Sequence, residues 1–248
     1  MSPCAWALLG ATRVYMIARL PLFALLLVPV PAAAADRVFS VGSFEKVRVD
    51  GPFEVRIVTG GSPGAKAAGE RQLIERIAIA VNGTTLTVRL GSGGWGETFR
   101  KENATAPVIT LSTPRLVALA TSAGARVSVN RMASQQIDVT VTGSGSLTAE
   151  RIEADQFRVA VLGAGTFTAG GRANRARLTT DGNGTIDTAA MTVNDLTVLL
   201  GGLGETRASA RYTAQVTSTG LGRVTVSGTA KCVVRAPAGG PVSCGGKP

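Results

Sequence analysis

The sequence contains no histidine, only three cysteines, and aromatic side chains at just 4% of its 248 positions. Without histidine there is no Ser-His-Asp or Cys-His triad, no imidazole metal ligand and none of the commonest general acid/base. Three cysteines cannot furnish a four-thiolate zinc or iron–sulfur site, so no cofactor is expected. The scarcity of aromatics also argues against a nucleic-acid partner, although the formal charge is +10, because single-stranded ligands need stacking platforms. The 21 Arg and 5 Lys behind that charge are spread along the chain. What is abundant is 31 Gly, with Thr and Val at 27 each. β-branched residues favour strands and glycine favours tight turns, so the composition predicts an all-β protein.

The first 35 residues read as an export leader. Arg13 and Arg19 precede an apolar stretch from Leu20 to Val30, then Pro31 and the run Ala32 to Ala35. A positive segment, a short apolar segment and a small-residue cleavage site make a secretory signal peptide, with cleavage expected after Ala35. The stretch is too short for a transmembrane anchor and is interrupted by Pro21 and Pro29. Met16-Ile17-Ala18-Arg19 would itself begin an ordinary leader, which would make residues 1–15 an over-extended start and Cys4 irrelevant. No Leu-x-x-Cys follows, so no lipid anchor is indicated. Residues 36–248 are expected to form a single domain in the periplasm, at the cell surface or outside the cell. There, Cys232 and Cys244 are expected to form a structural disulfide, closing a short loop with Pro237, Gly239, Gly240 and Pro241.

The early part of this region alternates as strands do. Val47 and Val49 lead to a turn at Asp50-Gly51, followed by Phe53, Val55 and Ile57; Ile77, Ile79 and Val81 lead to Asn82-Gly83, followed by Leu86, Val88 and Leu90. Both read as hairpins. Residues 65–76 carry good helix formers and offer a helical turn as the alternative there, and a polar loop is expected around Trp95.

The later part is a repeat. Gly-x-Gly occurs at Gly143 and Gly145, Gly163 and Gly165, Gly182 and Gly184, Gly202 and Gly204, and Gly220 and Gly222. A degenerate copy stands at Ser122-Ala123-Gly124. Six residues before each first glycine stand Ile137, Phe157, Ala176, Leu196 and Ala214; four after it stand Leu147, Phe167, Ile186, Thr206 and Val224. Each copy is an alternating strand, a glycine turn and another alternating strand. One copy cannot bury its apolar stripe alone, whereas a stack of copies makes a continuous core. The period of 18–20 residues predicts a single-stranded β-helix or solenoid. It lacks the strict six-residue phase of the left-handed hexapeptide solenoid and the Gly-Gly-x-Gly-x-Asp motif of calcium-binding solenoids, and right-handedness is expected by analogy with pectin-lyase-like solenoids.

Several segments together resemble the auto-transporter adhesin, head GIN-domain family of exported bacterial proteins. They are Gly51-Pro52-Phe53-Glu54-Val55-Arg56-Ile57, the Ala68 to Leu90 segment with Gly83-Thr84-Thr85-Leu86, Thr113-Pro114-Arg115-Leu116, and the copies Gly143-Ser144-Gly145-Ser146-Leu147 and Gly163-Ala164-Gly165-Thr166-Phe167. The resemblance spans residues 40–230. It implies a pectin-lyase-like solenoid that lacks a recognised catalytic set and serves adhesion or binding in the cell envelope. Despite the family label, no translocator barrel is read here, since barrel strands need an outward apolar band.

Stacking predicts outward columns. Gln136, Gln156, Arg175, Asp195 and Thr213 form one; Asp138, Arg158, Arg177, Thr197 and Gln215 form another. Arg158, Arg175 and Arg177 would then cluster, flanked by Asp138 and Asp195. They form a candidate platform for an anionic or hydroxyl-rich envelope glycan, since guanidinium forks pair with carboxylates and phosphates; the alternative is a solvated, partly ion-paired face. Asp181 and Asp187 flank one glycine turn and are the candidate acids for a polysaccharide lyase or hydrolase, the competing function. Their column mates are not acidic, and acids beside glycine turns are ordinary turn chemistry, so a non-enzymatic binding or structural role is favoured. Unpaired strands on end coils would allow homo-oligomers.

Overall fold

The computed structural model describes residues 35–91 and 106–246. The expected leader therefore lies outside the described residues apart from Ala35, as does most of the loop expected around Trp95. The described chain begins with β1 (Ala35–Phe39), β2 (Lys46–Asp50), β3 (Glu54–Thr59) and β4 (Gly64–Gly69). A short helix, α1 (Arg71–Glu75), precedes β5 (Ile77–Asn82), β6 (Thr85–Leu90), β7 (Val108–Thr113) and β8 (Ala118–Ser122). Five long strands follow: β9 (Arg126–Gly143), β10 (Ser146–Gly163), β11 (Thr166–Gly182), β12 (Thr185–Gly202) and β13 (Glu205–Ser218). The chain ends in β14 (Arg223–Gly228), β15 (Lys231–Arg235) and β16 (Val242–Gly246).

The repeat builds a β-solenoid. Each of β9 to β12 runs through nearly a whole coil, and its neighbours pair with it in parallel, so that Gly143, Gly163, Gly182 and Gly202 stand in register. In β9 the inward positions alternate at Val127 and Val129, slip to Met132, and resume at Ile137, Val139 and Val141. That break in period 2 marks a second corner inside the strand. One half of β9 pairs with β3 and the other with β8, so each long strand lies along two sides of the coil.

The two glycines of the motif answer different demands. Gly182, the first of its pair, has φ +104°, a backbone region that side chains disfavour. Gly204, the second of the next pair, is buried, and a Cβ there would overlap the Gly184 carbonyl oxygen of the preceding coil. The last pair departs from this division. Gly220 does not share the positive φ of the four first glycines before it, so the turn predicted at Gly220 and Gly222 is made without the left-handed backbone. Both positions instead serve close approach: a Cβ on Gly220 would overlap the Gly202 carbonyl oxygen, and one on Gly222 that of Gly204. The Gly222 N–H donates to the Gly202 carbonyl at 3.0 Å, which holds this shortened copy against the preceding coil. Ala123 fills the first-glycine place in the degenerate copy at φ +55°.

The interior is filled by side chains from both long sides, including Ile137, Phe157, Leu178, Phe167 and Ile186, each at most 1% exposed. The Phe157 and Phe167 rings lie 5.9 Å apart, within the range of favourable aromatic pairs. Hydroxyls that enter this core are generally partnered: Thr180 and Thr206, both buried, share a 2.9 Å hydrogen bond. Thr121 is the exception among the described residues, a buried hydroxyl without a partner. It stands in register between Val49 and Val141. Thr121→Val should therefore stabilise the protein by about 1 kcal/mol, because an unpaired buried hydroxyl gives way to the methyl its column repeats. Thermal unfolding tests this; a lower midpoint would show that the hydroxyl is satisfied.

The N-terminal coils are interleaved. β2 lies between β6 and β8 and β3 between β7 and β9, all in parallel. The expected hairpin at Asp50-Gly51 is therefore not formed: β2 and β3 turn at a solenoid corner, with both edges of each strand already taken by other neighbours. The Asn82-Gly83 hairpin is formed, with β5 antiparallel to β6. Residues 65–76 divide between strand β4 and helix α1, which buries Leu73 and Ile74 at this end of the stack. At the other end, Cys232 of β15 is disulfide-bonded to Cys244 of β16. Their register partners are the buried Ala214 and Val226, so the bond ties the two long sides together over the end of the core. Among the described residues no helix is long and apolar enough to cross a membrane.

Candidate ligand-binding surfaces

The predicted columns are present on the long side formed by the second halves of the long strands. Arg158 stands in register with Asp138 and Arg177, and Arg175 with Gln156 and Asp195. Neighbouring rungs in such a sheet are about 4.8 Å apart, so Arg158 and Arg177 present two exposed guanidinium groups side by side. Their partners differ. Arg158 approaches Asp138 at 3.8 Å and Arg175 reaches Asp155 at 3.3 Å. No hydrogen bond or ion pair joins Arg177 to the described residues. Asp195 flanks Arg175 in register, as expected, and accepts a 2.6 Å hydrogen bond from the Thr213 hydroxyl on its other side. The result is a flat, basic face with one unpaired arginine and two weakly neutralised ones, since such exposed pairs contribute little.

The two candidate acids stand on opposite sides of the glycine turn. Asp181 occupies an outward column between Leu162 and Gly201, whereas Asp187 lies beyond the glycine turn in register with Thr168 and Arg207. Asp187 accepts a hydrogen bond from the Ala189 backbone N–H and approaches Arg207 at 3.6 Å. Among the described residues no group of three or more Cys, Asp or Glu is placed to hold a metal ion.

A second surface follows the corner inside the long strands. There a groove of about 1170 Å³ crosses β9 to β13. Small residues line it, including the register partners Ala154 and Ala173 on successive coils, together with Ala133, Gly170 and Ala190. Along it runs a polar ladder. The Asn174 amide donates to Asp155 at 2.7 Å, and the Asn194 amide donates to Asn174 at 3.1 Å. Beside the ladder, Glu153 is held between Arg131 and Arg172.

The carboxyls here are tuned by these contacts. The Arg131 hydrogen bond holds Glu153 below the ordinary carboxylate range, and the Asn174 hydrogen bond, aided by Arg175, does the same for Asp155. Because these pKa values are lowered, both interactions are complete above the usual carboxylate range and are lost as the pH falls through the depressed values. Sequence reasoning missed the groove: its residues fall where the alternation breaks, and small side chains carry no motif. The 19- and 20-residue spacing of Asp155, Asn174 and Asn194 was the available signal.

Comparison with known proteins agrees with this architecture. The family model described as "Putative auto-transporter adhesin, head GIN domain" matches residues 43–230. A putative adhesin of Bacteroides fragilis is similar in structure at TM-score 0.74 and 19% identity, over 87% of this chain and 94% of that one. A putative lipid-binding protein of Parabacteroides distasonis is similar at TM-score 0.68 and 15% identity, over 86% and 97% of the respective chains. A putative adhesin from the same organism is similar at TM-score 0.67 and 17% identity, over 86% and 97%. No curated protein matches the chain.

Proposed function

The chain belongs to the auto-transporter adhesin, head GIN-domain family, and from that premise we propose that it is an exported, non-catalytic binding protein of the bacterial envelope whose basic face captures an anionic glycan. The observation that carries this reading is the in-register pair Arg158 and Arg177 on adjacent coils, the second without an ion-pair partner among the described residues. Guanidinium groups repeating at coil spacing suit a polymer with repeating carboxylates, each able to accept a forked hydrogen bond. The leader read at residues 1–35 and the Cys232–Cys244 bond support export. The separation of Asp181 from Asp187 by the glycine turn supports binding over hydrolysis or elimination. A lipid ligand, as in the Parabacteroides relative's description, fits this chain less well, because acyl chains need an apolar cavity and the solenoid interior is occupied by its own side chains.

The test is affinity electrophoresis of the purified protein in gels containing polygalacturonate. Arg158→Ala with Arg177→Ala should weaken retention at least tenfold, about the effect of losing one charge-assisted contact, and wild-type retention should fall as salt is raised. Unchanged retention in the double variant would remove this face from the function.

A further inference from the structure

The corner groove differs from the basic face in position and chemistry, and neither Arg158 nor Arg177 lines it. Against three arginines, Arg151, Arg172 and Arg211, its walls carry three carboxylates, Glu150, Glu153 and Asp155, so the lining has no net charge to attract a polyanion. Two of the carboxylates already have protein partners: Glu153 pairs with Arg131 and Arg172, and Asp155 with Arg175. Between these charges runs a line of amides. A carboxamide has two donors and two acceptor sites. In the Asp155–Asn174–Asn194 ladder, Asn174, which lines the groove, uses one donor and one acceptor internally, leaving one of each for a ligand. The internal bonds also align the amide dipoles and fix their orientation.

Several features select the shape of the occupant. The ladder advances one group per coil, so its groups repeat about every 4.8 Å along the stack. A ligand matching it is linear and lies along the solenoid axis. An extended peptide is a poor fit, because the long strands pair with the coils above and below on both sides of the corner, and the short interruptions at residues 150–151, 169–170 and 188–190 do not make a continuous strand edge. The floor is methyl groups and bare backbone: a Cβ on Gly170 would stand 3.0 Å from the Glu150 carbonyl oxygen, which keeps that place empty of side chain. Hydrogen-bonding amides on the walls and small apolar patches on the floor are what the hydroxyls and ring faces of a pyranose chain require.

We infer that this groove is a second binding site, which takes a linear, uncharged polysaccharide lying along the solenoid axis, read by the Asp155–Asn174–Asn194 ladder. It does not depend on the anionic-glycan reading of the basic face. The experiment is affinity electrophoresis of the full chain against hydroxyethylcellulose, galactomannan, amylose and polygalacturonate. Ala190→Trp places a ring over the floor, since the Ala190 Cβ lies 3.8 Å from where a Gly170 Cβ would stand. Asn194→Ala shortens the ladder without filling the groove and serves if the tryptophan variant does not fold. At least one neutral polymer should retard the wild type, and either variant should weaken that retention at least tenfold while leaving polygalacturonate retention unchanged. Arg158→Ala with Arg177→Ala should do the reverse. Failure of every neutral polymer to retard the wild type overturns the inference, as does neutral retention indifferent to both groove variants.

Discussion

Gly204→Ala is expected to cost about 3 kcal/mol, as an overpacked core position does, and to lower the unfolding midpoint by about 10 °C. The added methyl would overlap the Gly184 carbonyl oxygen and stand 2.8 Å from Thr180 Cγ2. Neither can yield easily. The carbonyl belongs to the neighbouring coil and accepts the Glu205 N–H at 3.0 Å, and the threonine is locked by its hydrogen bond to Thr206. Relief requires the two coils to part, which weakens the backbone ladder on both sides of the corner. Gly83→Ala is the control. Gly83 is also a turn glycine, at φ +59°, but a Cβ there meets nothing within 4 Å; the expected cost is about 1 kcal/mol, from the left-handed backbone alone. Equal losses in the two variants would show that coil contact is not what the second glycine serves.

Replacing Cys232 and Cys244 together by serine should also cost about 3 kcal/mol, the usual value for freeing a loop of this length; the bonded residues are 12 apart. The effect should be local, because a solenoid coil touches only its neighbours. β15 pairs only with β13, and β16 only with β14, among the described residues, so without the covalent tie each is a single strand at an open end. Hydrogen exchange should accelerate over residues 231–246 and remain slow in β10 and β11. The same pattern should appear on reduction of the wild type. Uniform exchange across the stack in the serine variant would mean that the bond is not an end closure.

Much of the solenoid was legible because two periodicities coincide. Alternation places Val139, Val159, Leu178 and Val198 inward, and the glycine spacing aligns them from coil to coil; the register pairs those same residues. The arginine columns follow from the same arithmetic. What was not legible lies where one periodicity stops. At residues 130–136 and their equivalents the alternation breaks without the Gly-x-Gly motif, so the groove carried no motif and its ladder only the 19- and 20-residue spacing of Asp155, Asn174 and Asn194. Asp195 stands beside Arg175 as expected, but Asp155 falls just outside the aligned columns, so its ion pair with Arg175 was not foreseen. At the N-terminus the strands were recognised but their partners were not: alternation reports which side faces the core and is silent about which distant strand lies alongside. Asp50-Gly51 therefore resembled a hairpin when its flanking strands bond elsewhere.

The interleaving of β2 and β3 gives the two ends of the molecule different folding kinetics. In the repeat, a strand finds its partner one coil later, as Ser146 finds Thr166, so coils can zip on one after another. Glu54 instead has Val108 on one edge and Arg126 on the other, and closing such large loops is slow. For a chain emerging amino end first, the opening strands must wait until β9 arrives, and only then does a template exist for the rest. By this topology, closing the first coils is expected to be the slow step and adding the glycine-turn coils the faster one.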